Sequence, residues 1–130
     1  MARRTSKYPT ELELEILKIL WRDREATVRQ VKKQLSSFRE LAYTSVMTMM
    51  TIMTEKGYLK RSKKNNYYIY KPQITEQETT KGMLGDVVDR LFDGSVTAAM
   101  VNLLETGDID ETELAKLRKL IMRKGKEVQR

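Results

Sequence analysis

At Gly57 the hydrophobic period of this chain changes. Before it, apolar residues recur three and four positions apart. After it they alternate, in Tyr58-Leu59-Lys60-Arg61-Ser62 and again in Tyr67-Tyr68-Ile69-Tyr70-Lys71. A period of 3.6 belongs to helices with one buried face and a period of 2 to strands. The chain must therefore run from helix directly into a β-hairpin. Lys63-Lys64-Asn65-Asn66 is expected to supply the turn, because Asn tolerates left-handed backbone. After Pro72 the helical pattern returns. The expected fold is mainly α with a small β-wing.

Three helices are predicted before Gly57. Thr10 with Glu13 reads as a capping box behind Pro9, and Leu12, Ile16, Ile19 and Leu20 follow at helical spacing, closed by Trp21. Thr27 with Gln30 opens the second helix, which is expected to end near Ser36-Ser37. Val28, Val31 and Leu35 form its inner stripe, while Arg29, Lys32 and Lys33 look outward. The third runs from about Tyr43 to Lys56 and stops at Gly57, a residue suited to the position after a helix end. Val46, Met49, Met50 and Met53 make its buried stripe. Its other face carries Thr44, Ser45, Met47, Thr48 and Thr51, short and uncharged where a solvated face usually has Glu and Lys. Such a face is fitted to something other than water.

Three helices followed by a basic hairpin are the order of a winged helix-turn-helix. A helix fits the major groove of DNA, and short polar side chains can reach base edges there. Tyr43, Thr44, Ser45, Met47, Thr48 and Thr51 are the candidate recognition-helix residues. Lys60, Arg61, Lys63, Lys64, Asn65 and Asn66 are the candidate wing residues, placed to neutralise phosphates and hold register. Charge agrees with this reading. Residues 1–72 hold 16 Lys plus Arg against 7 Asp plus Glu, a net of +9, while residues 73–130 hold 9 against 11, a net of −2. A basic lobe for a polyanion and a mildly acidic lobe for protein are expected, divided at Pro72 into domains 1–72 and 73–130.

The second lobe reads as three helices. The first covers about residues 75–92, with Met83, Leu84, Val87, Val88 and Leu91 on one side. Ser95 caps a short helix carrying Val96, Ala99, Met100, Leu103 and Leu104, which Thr106-Gly107 ends. Asp110 with Glu113 reads as a third capping box, opening a helix with Leu114, Leu117, Leu120 and Ile121. So small a lobe cannot enclose its own apolar faces, and a twofold partner is the economical solution. The candidate dimerisation residues are Leu84, Val87, Val88, Leu91, Val96, Met100, Leu103, Leu104, Leu114, Leu117 and Ile121.

Absences narrow the chemistry. With no Cys and no His, a thiol nucleophile, a Ser-His-Asp triad and a His- or Cys-built metal site are all excluded. No enzyme activity, cofactor or metal is expected. Met1-Ala2-Arg3-Arg4 leads into polar residues, and the apolar run Val46–Met53 is far short of the ~20 residues of a membrane span. A cytoplasmic protein with no membrane insertion is expected.

The sequence also resembles a known family. Glu11-Leu12-Glu13, Ile16-Leu17, Leu20-Trp21 and Ala26-Thr27-Val28-Arg29-Gln30-Val31 match the penicillinase-repressor family of bacterial regulators, the BlaI, MecI and CopY group. Leu41-Ala42-Tyr43-Thr44-Ser45-Val46-Met47-Thr48 is the most specific part, and Gly57-Tyr58-Leu59-Lys60-Arg61 with Tyr68-Ile69-Tyr70-Lys71-Pro72 completes the wing. The likeness continues more weakly through Leu91-Phe92-Asp93-Gly94-Ser95 and spans roughly residues 8–122. It implies a homodimeric repressor on an inverted-repeat operator. It further implies release by proteolysis or weakened dimerisation on an antibiotic or cell-envelope stress signal, with a membrane sensor-protease as a partner. The family's cleaved bond falls on Asn102-Leu103 here. The paired Cys motifs of the copper-responsive branch are missing, which argues against copper sensing. Two other functions share the same residues: a ligand-sensing winged helix of the MarR type, and a winged-helix adaptor that binds protein instead of DNA.

Overall fold

The computed structural model describes residues 7–129. Its elements run α1 (Glu11–Asp23), α2 (Val28–Leu35), α3 (Tyr43–Glu55), β1 (Leu59–Lys64), β2 (Tyr67–Pro72), α4 (Glu76–Phe92), α5 (Val96–Thr106) and α6 (Glu111–Val128). The chain is mainly α with one two-stranded antiparallel sheet, the winged-helix order. It separates into two compact units, one running to Gly85 and the other starting at Asp86. The domain division expected at Pro72 marks where charge and period change, and it stands as a proposal.

In the first unit, α1 and α2 begin with complete capping boxes. The Thr10 hydroxyl accepts from Glu13 N at 3.2 Å and Glu13 Oε1 accepts from Thr10 N at 2.9 Å. Thr27 and Gln30 repeat the exchange at the same distances. Both helices then turn an apolar stripe inward. Ile16, Leu17 and Leu20 of α1, Val31 and Leu35 of α2, and Val46, Met50 and Met53 of α3 meet Leu59 and Tyr70 of the hairpin in one core. Each such side chain contributes about 1.5–3 kcal/mol on burial. Gly57, at φ 86°, lets the chain leave α3 in the left-handed region, and there it turns into β1.

The turn of the hairpin is shorter than expected. β1 and β2 pair from Leu59↔Pro72 to Lys64↔Tyr67, leaving only Asn65-Asn66 outside the ladder. Asn65 takes φ 56°, and one Asn in that region suffices for a two-residue turn whose twist suits the strands. Lys63 and Lys64 therefore belong to β1, and alternation sends them to opposite faces. The inner edge of the hairpin is also covered: Ala26 N donates to Tyr70 O at 3.1 Å and Tyr70 N to Ala26 O at 2.9 Å. The first turns of α4 pack with this unit. Trp21 Nε1 donates to Ile74 O at 2.9 Å, Thr79 is buried, and a Cβ on Gly82 would lie 2.8 Å from the Tyr8 ring.

The second unit holds the end of α4 with α5 and α6. Asp93 (φ 50°) and Gly94 (φ 81°) break the chain after α4, and the Ser95 hydroxyl caps α5 by accepting from Ala98 N at 3.1 Å. Asp110 caps α6 by accepting from Glu113 N at 2.8 Å. The expected third capping box is thus only half made. An Asp cap sets a carboxylate where α1 and α2 have a neutral hydroxyl, and it repels the returning Glu113 side chain. Ala99 is the only buried residue of this unit among those described. Its helices are regular, yet their apolar stripes are uncovered: Leu91 is 70% exposed and Leu103 60%.

Candidate nucleic-acid interface

The exposed face of α3 is held by what lies behind it. Val46, Met50 and Met53 lock one side of the helix into the core. Its far end is tied by an ion pair, with Lys56 Nζ 2.9 Å from Glu13 Oε2. Glu13 is 2% exposed, a burial a carboxylate tolerates only when its oxygens are satisfied. Here one oxygen caps α1 and the other anchors the end of α3. The cap closes over four residues and is legible in the sequence, whereas the pair joins residues 43 apart and leaves no local signal.

Tyr43, Thr44, Ser45, Met47 and Thr48 all lie exposed on α3, and Thr51 is half-buried. The hydroxyls differ. Thr51 Oγ1 donates to Met47 O at 2.9 Å, so it is engaged by its own helix. Among the described residues the side chains of Thr44, Ser45 and Thr48 have no hydrogen-bond partner and stand free to donate or accept. Met47, 41% exposed, is the long apolar side chain among them. Helix α3 also differs from α1 and α2 at its start, where Ala42 offers no side-chain cap. Its first N–H groups are left for an acceptor from outside.

On the hairpin, Lys60, Arg61, Lys63, Lys64, Asn65 and Asn66 are all exposed. Paired residues share a face, so Arg61 and Lys63 lie with Tyr70 and Tyr68, while Lys60 and Lys64 lie with Lys71 and Tyr67. The Arg61 guanidinium sits over the Tyr68 ring, 4.4 Å from its centroid. The tyrosines divide their roles. Tyr58 and Tyr70 pack in the core, whereas Tyr67 and Tyr68 stay exposed near the turn. Alternation alone could not separate Tyr68 from Tyr70; the difference is distance from the core. Burial raises the Tyr58 phenol above its ordinary 10.0, the nearby Glu13 carboxylate adds to this, and the Lys56 ammonium opposes it.

The dimerisation candidates fall on three helices, with Leu84, Val87, Val88 and Leu91 on α4, Val96, Met100, Leu103 and Leu104 on α5, and Leu114, Leu117 and Ile121 on α6. Val87, Val88 and Leu117 are half-buried and the others exposed. Asn102 and Leu103, the candidate cleavage pair, lie inside α5 and are exposed. Among the described residues no helix is long and apolar enough to cross a membrane.

A family model described as penicillinase repressor matches residues 9–123. The transcriptional regulator BlaI of Mycobacterium tuberculosis is 33% identical over 105 residues, covering 79% of this chain and 76% of that protein. The penicillinase repressor of Bacillus licheniformis is 23% identical over 112 residues, 86% of this chain and 88% of its own length. Among solved structures, a MarR mutant from E. coli complexed with operator DNA is similar in fold, with a TM-score of 0.51 at 17% identity, over 88% of this chain and 74% of that one.

Proposed function

The chain belongs to the penicillinase-repressor family, and from that premise we propose that it is a homodimeric repressor of an inverted-repeat operator in double-stranded DNA. The family consists of transcriptional repressors, not enzymes. One observation carries the reading for this chain: an uncharged face of hydroxyls and one methionine on α3, held from behind, followed in the same unit by four wing cations. In the major groove Thr44, Ser45 and Thr48 hydrogen-bond to base edges, and Met47 makes apolar contact with a thymine methyl. Lys60, Arg61, Lys63 and Lys64 neutralise phosphates. The uncovered stripes of α4, α5 and α6 support dimerisation, because joining two copies removes that apolar surface from water and links two half-sites. The setting proposed for this is the cytoplasm.

Release is proposed by cleavage at Asn102–Leu103 by a membrane sensor-protease on a stress signal. Asn102 O accepts from Thr106 Oγ1 at 2.7 Å and Leu103 O from Gly107 N at 2.8 Å. The end of α5 must therefore unwind before a protease that takes extended chain can act. A dimer contact over Leu103 and Leu104 would oppose that unwinding.

Duplexes selected from a randomised library by the full chain test the reading. Binding should weaken steeply with salt, and the Lys63→Ala/Lys64→Ala double variant should make the log K against log salt slope shallower by about 2. A duplex affinity unmoved by that variant points instead to a protein-binding adaptor.

A further inference from the structure

We propose that Arg61, held in place by Tyr68, reads minor-groove width beside each half-site and gives the protein a preference for A·T-rich flanks. The inference rests on the DNA-binding reading above and adds a source of sequence preference that the recognition helix does not supply.

The four wing cations are not equivalent. Among the described residues the side chains of Lys60, Lys63 and Lys64 have no partner, whereas Arg61 lies 4.4 Å from the Tyr68 ring centroid. Tyr68 in turn meets Tyr70 edge-on, with centroids 6.5 Å apart and planes at 62°. Tyr70 is fully buried. Arg61 thus stands on an aromatic ladder rooted in the core. A phosphate contact requires no such support, since a mobile lysine serves as well. A held, planar guanidinium is useful where orientation matters, and stacking occupies its faces while leaving its N–H edges free.

Placement agrees. Arg61 pairs with Tyr70 in the ladder, but its side chain reaches diagonally to Tyr68, which pairs with Lys63. Its charge is carried one step closer to the Asn65-Asn66 turn, along the face that it shares with Lys63. Two like charges gathered on one face repel each other in the free protein, and a strongly negative groove relieves that repulsion. The exposed face of α3 has neither Arg nor Lys, so the bidentate guanine contact that most often supplies specificity cannot come from it. The minor groove offers another source. Its base edges are nearly degenerate, but A·T runs narrow it and deepen its negative potential, which favours an inserted arginine. Arginine suits the position better than lysine because guanidinium is more weakly hydrated.

The test uses the 130-residue chain and a duplex enriched from a randomised library, remade with A·T, G·C or inosine·C pairs in the flanks. Inosine lacks the minor-groove amino group of guanine and keeps its major-groove acceptors. The wild type should prefer A·T and inosine·C flanks over G·C by about fivefold or more. Arg61→Lys, which keeps the charge and hence the salt slope, should bring that ratio close to one. Tyr68→Ala should do the same, while Tyr68→Phe, which keeps the ring, should retain the preference. Thermal unfolding of each variant checks that the fold is intact. An unchanged flank ratio in Arg61→Lys overturns the proposal, and so does inosine·C behaving as G·C. Equal weakening on all three flanks by Arg61→Ala, alongside an unchanged ratio in Arg61→Lys, identifies a phosphate contact only. If no duplex is enriched at all, the DNA-binding reading fails and this inference with it; binding without a flank preference removes this inference alone.

Discussion

Glu13 divides its two carboxylate oxygens between Thr10 N and Lys56 Nζ, so one side chain starts α1 and secures the end of α3. Removing it breaks both. Glu13→Ala should destabilise the fold by about 2–3 kcal/mol, combining a lost cap with a partly exposed lysine left unpaired. Glu13→Gln keeps an acceptor for Thr10 N and should cost about half as much. Urea unfolding, read from the midpoint at constant slope, checks the order of the two. Tyr58 sits beside this pair, and its phenol is raised, by burial first and Glu13 second. A raised folded value means the folded state holds the proton more tightly. The associated stability is fully present below the ordinary value of 10.0 and is lost as pH rises through the raised one. Melting temperatures followed upward from about pH 9 should fall less steeply in Tyr58→Phe than in the wild type.

At the scale of elements, α3 is two helices in one. Its inner stripe is indispensable to the core, and its outer face contributes little to stability. Met47→Glu should therefore change stability by no more than about 0.5 kcal/mol. The same change should lower duplex affinity by at least about tenfold, since it sets a carboxylate where a polyanion approaches. Circular dichroism melting and duplex titration measure the two separately; equal damage to both would mean that the face is structural. Much of the local structure was legible. The caps at Thr10, Thr27, Ser95 and Asp110, the stripes of α1 to α3 and the stop at Gly57 all follow from contacts within one or two turns. The wing was legible as a hairpin but not in its turn, because two-residue and four-residue loops draw on the same Asn preference. Whether Lys63 and Lys64 continued the ladder depended on pairing with Tyr67 and Tyr68. The Ala26–Tyr70 bridge left no signal, since a single paired residue has no period.

For the whole molecule, the apolar surface of the second unit is the dominant feature. Leu91, Val96 and Leu103 are each more than half exposed, and α6 buries none of its described residues. Leu103→Glu should be harmless to a monomer, where the carboxylate stays in water, and disruptive to a dimer, where it is buried without a partner. Analytical ultracentrifugation should find a dimer in the wild type and a monomer in the variant. Affinity for a two-site operator should fall by about 100-fold, through loss of the linked second half-site. A monomeric wild type would remove the dimer from the proposal while leaving the single-site contacts of α3 and the wing.

The change of period at Gly57, the capping residues and the uneven charge determined by themselves that this chain is three helices, a basic hairpin and a helical lobe. Those interactions close over three or four residues, so residue order is enough to specify them. Only tertiary structure decided that Glu13 meets Lys56, that Tyr68 stands exposed beneath Arg61 while Tyr70 is buried, and that Ala26 pairs with Tyr70. Each depends on how the packed chain brings separate residues together and which of them remain at its surface. Local preferences can permit such arrangements, but the shared core selects among them.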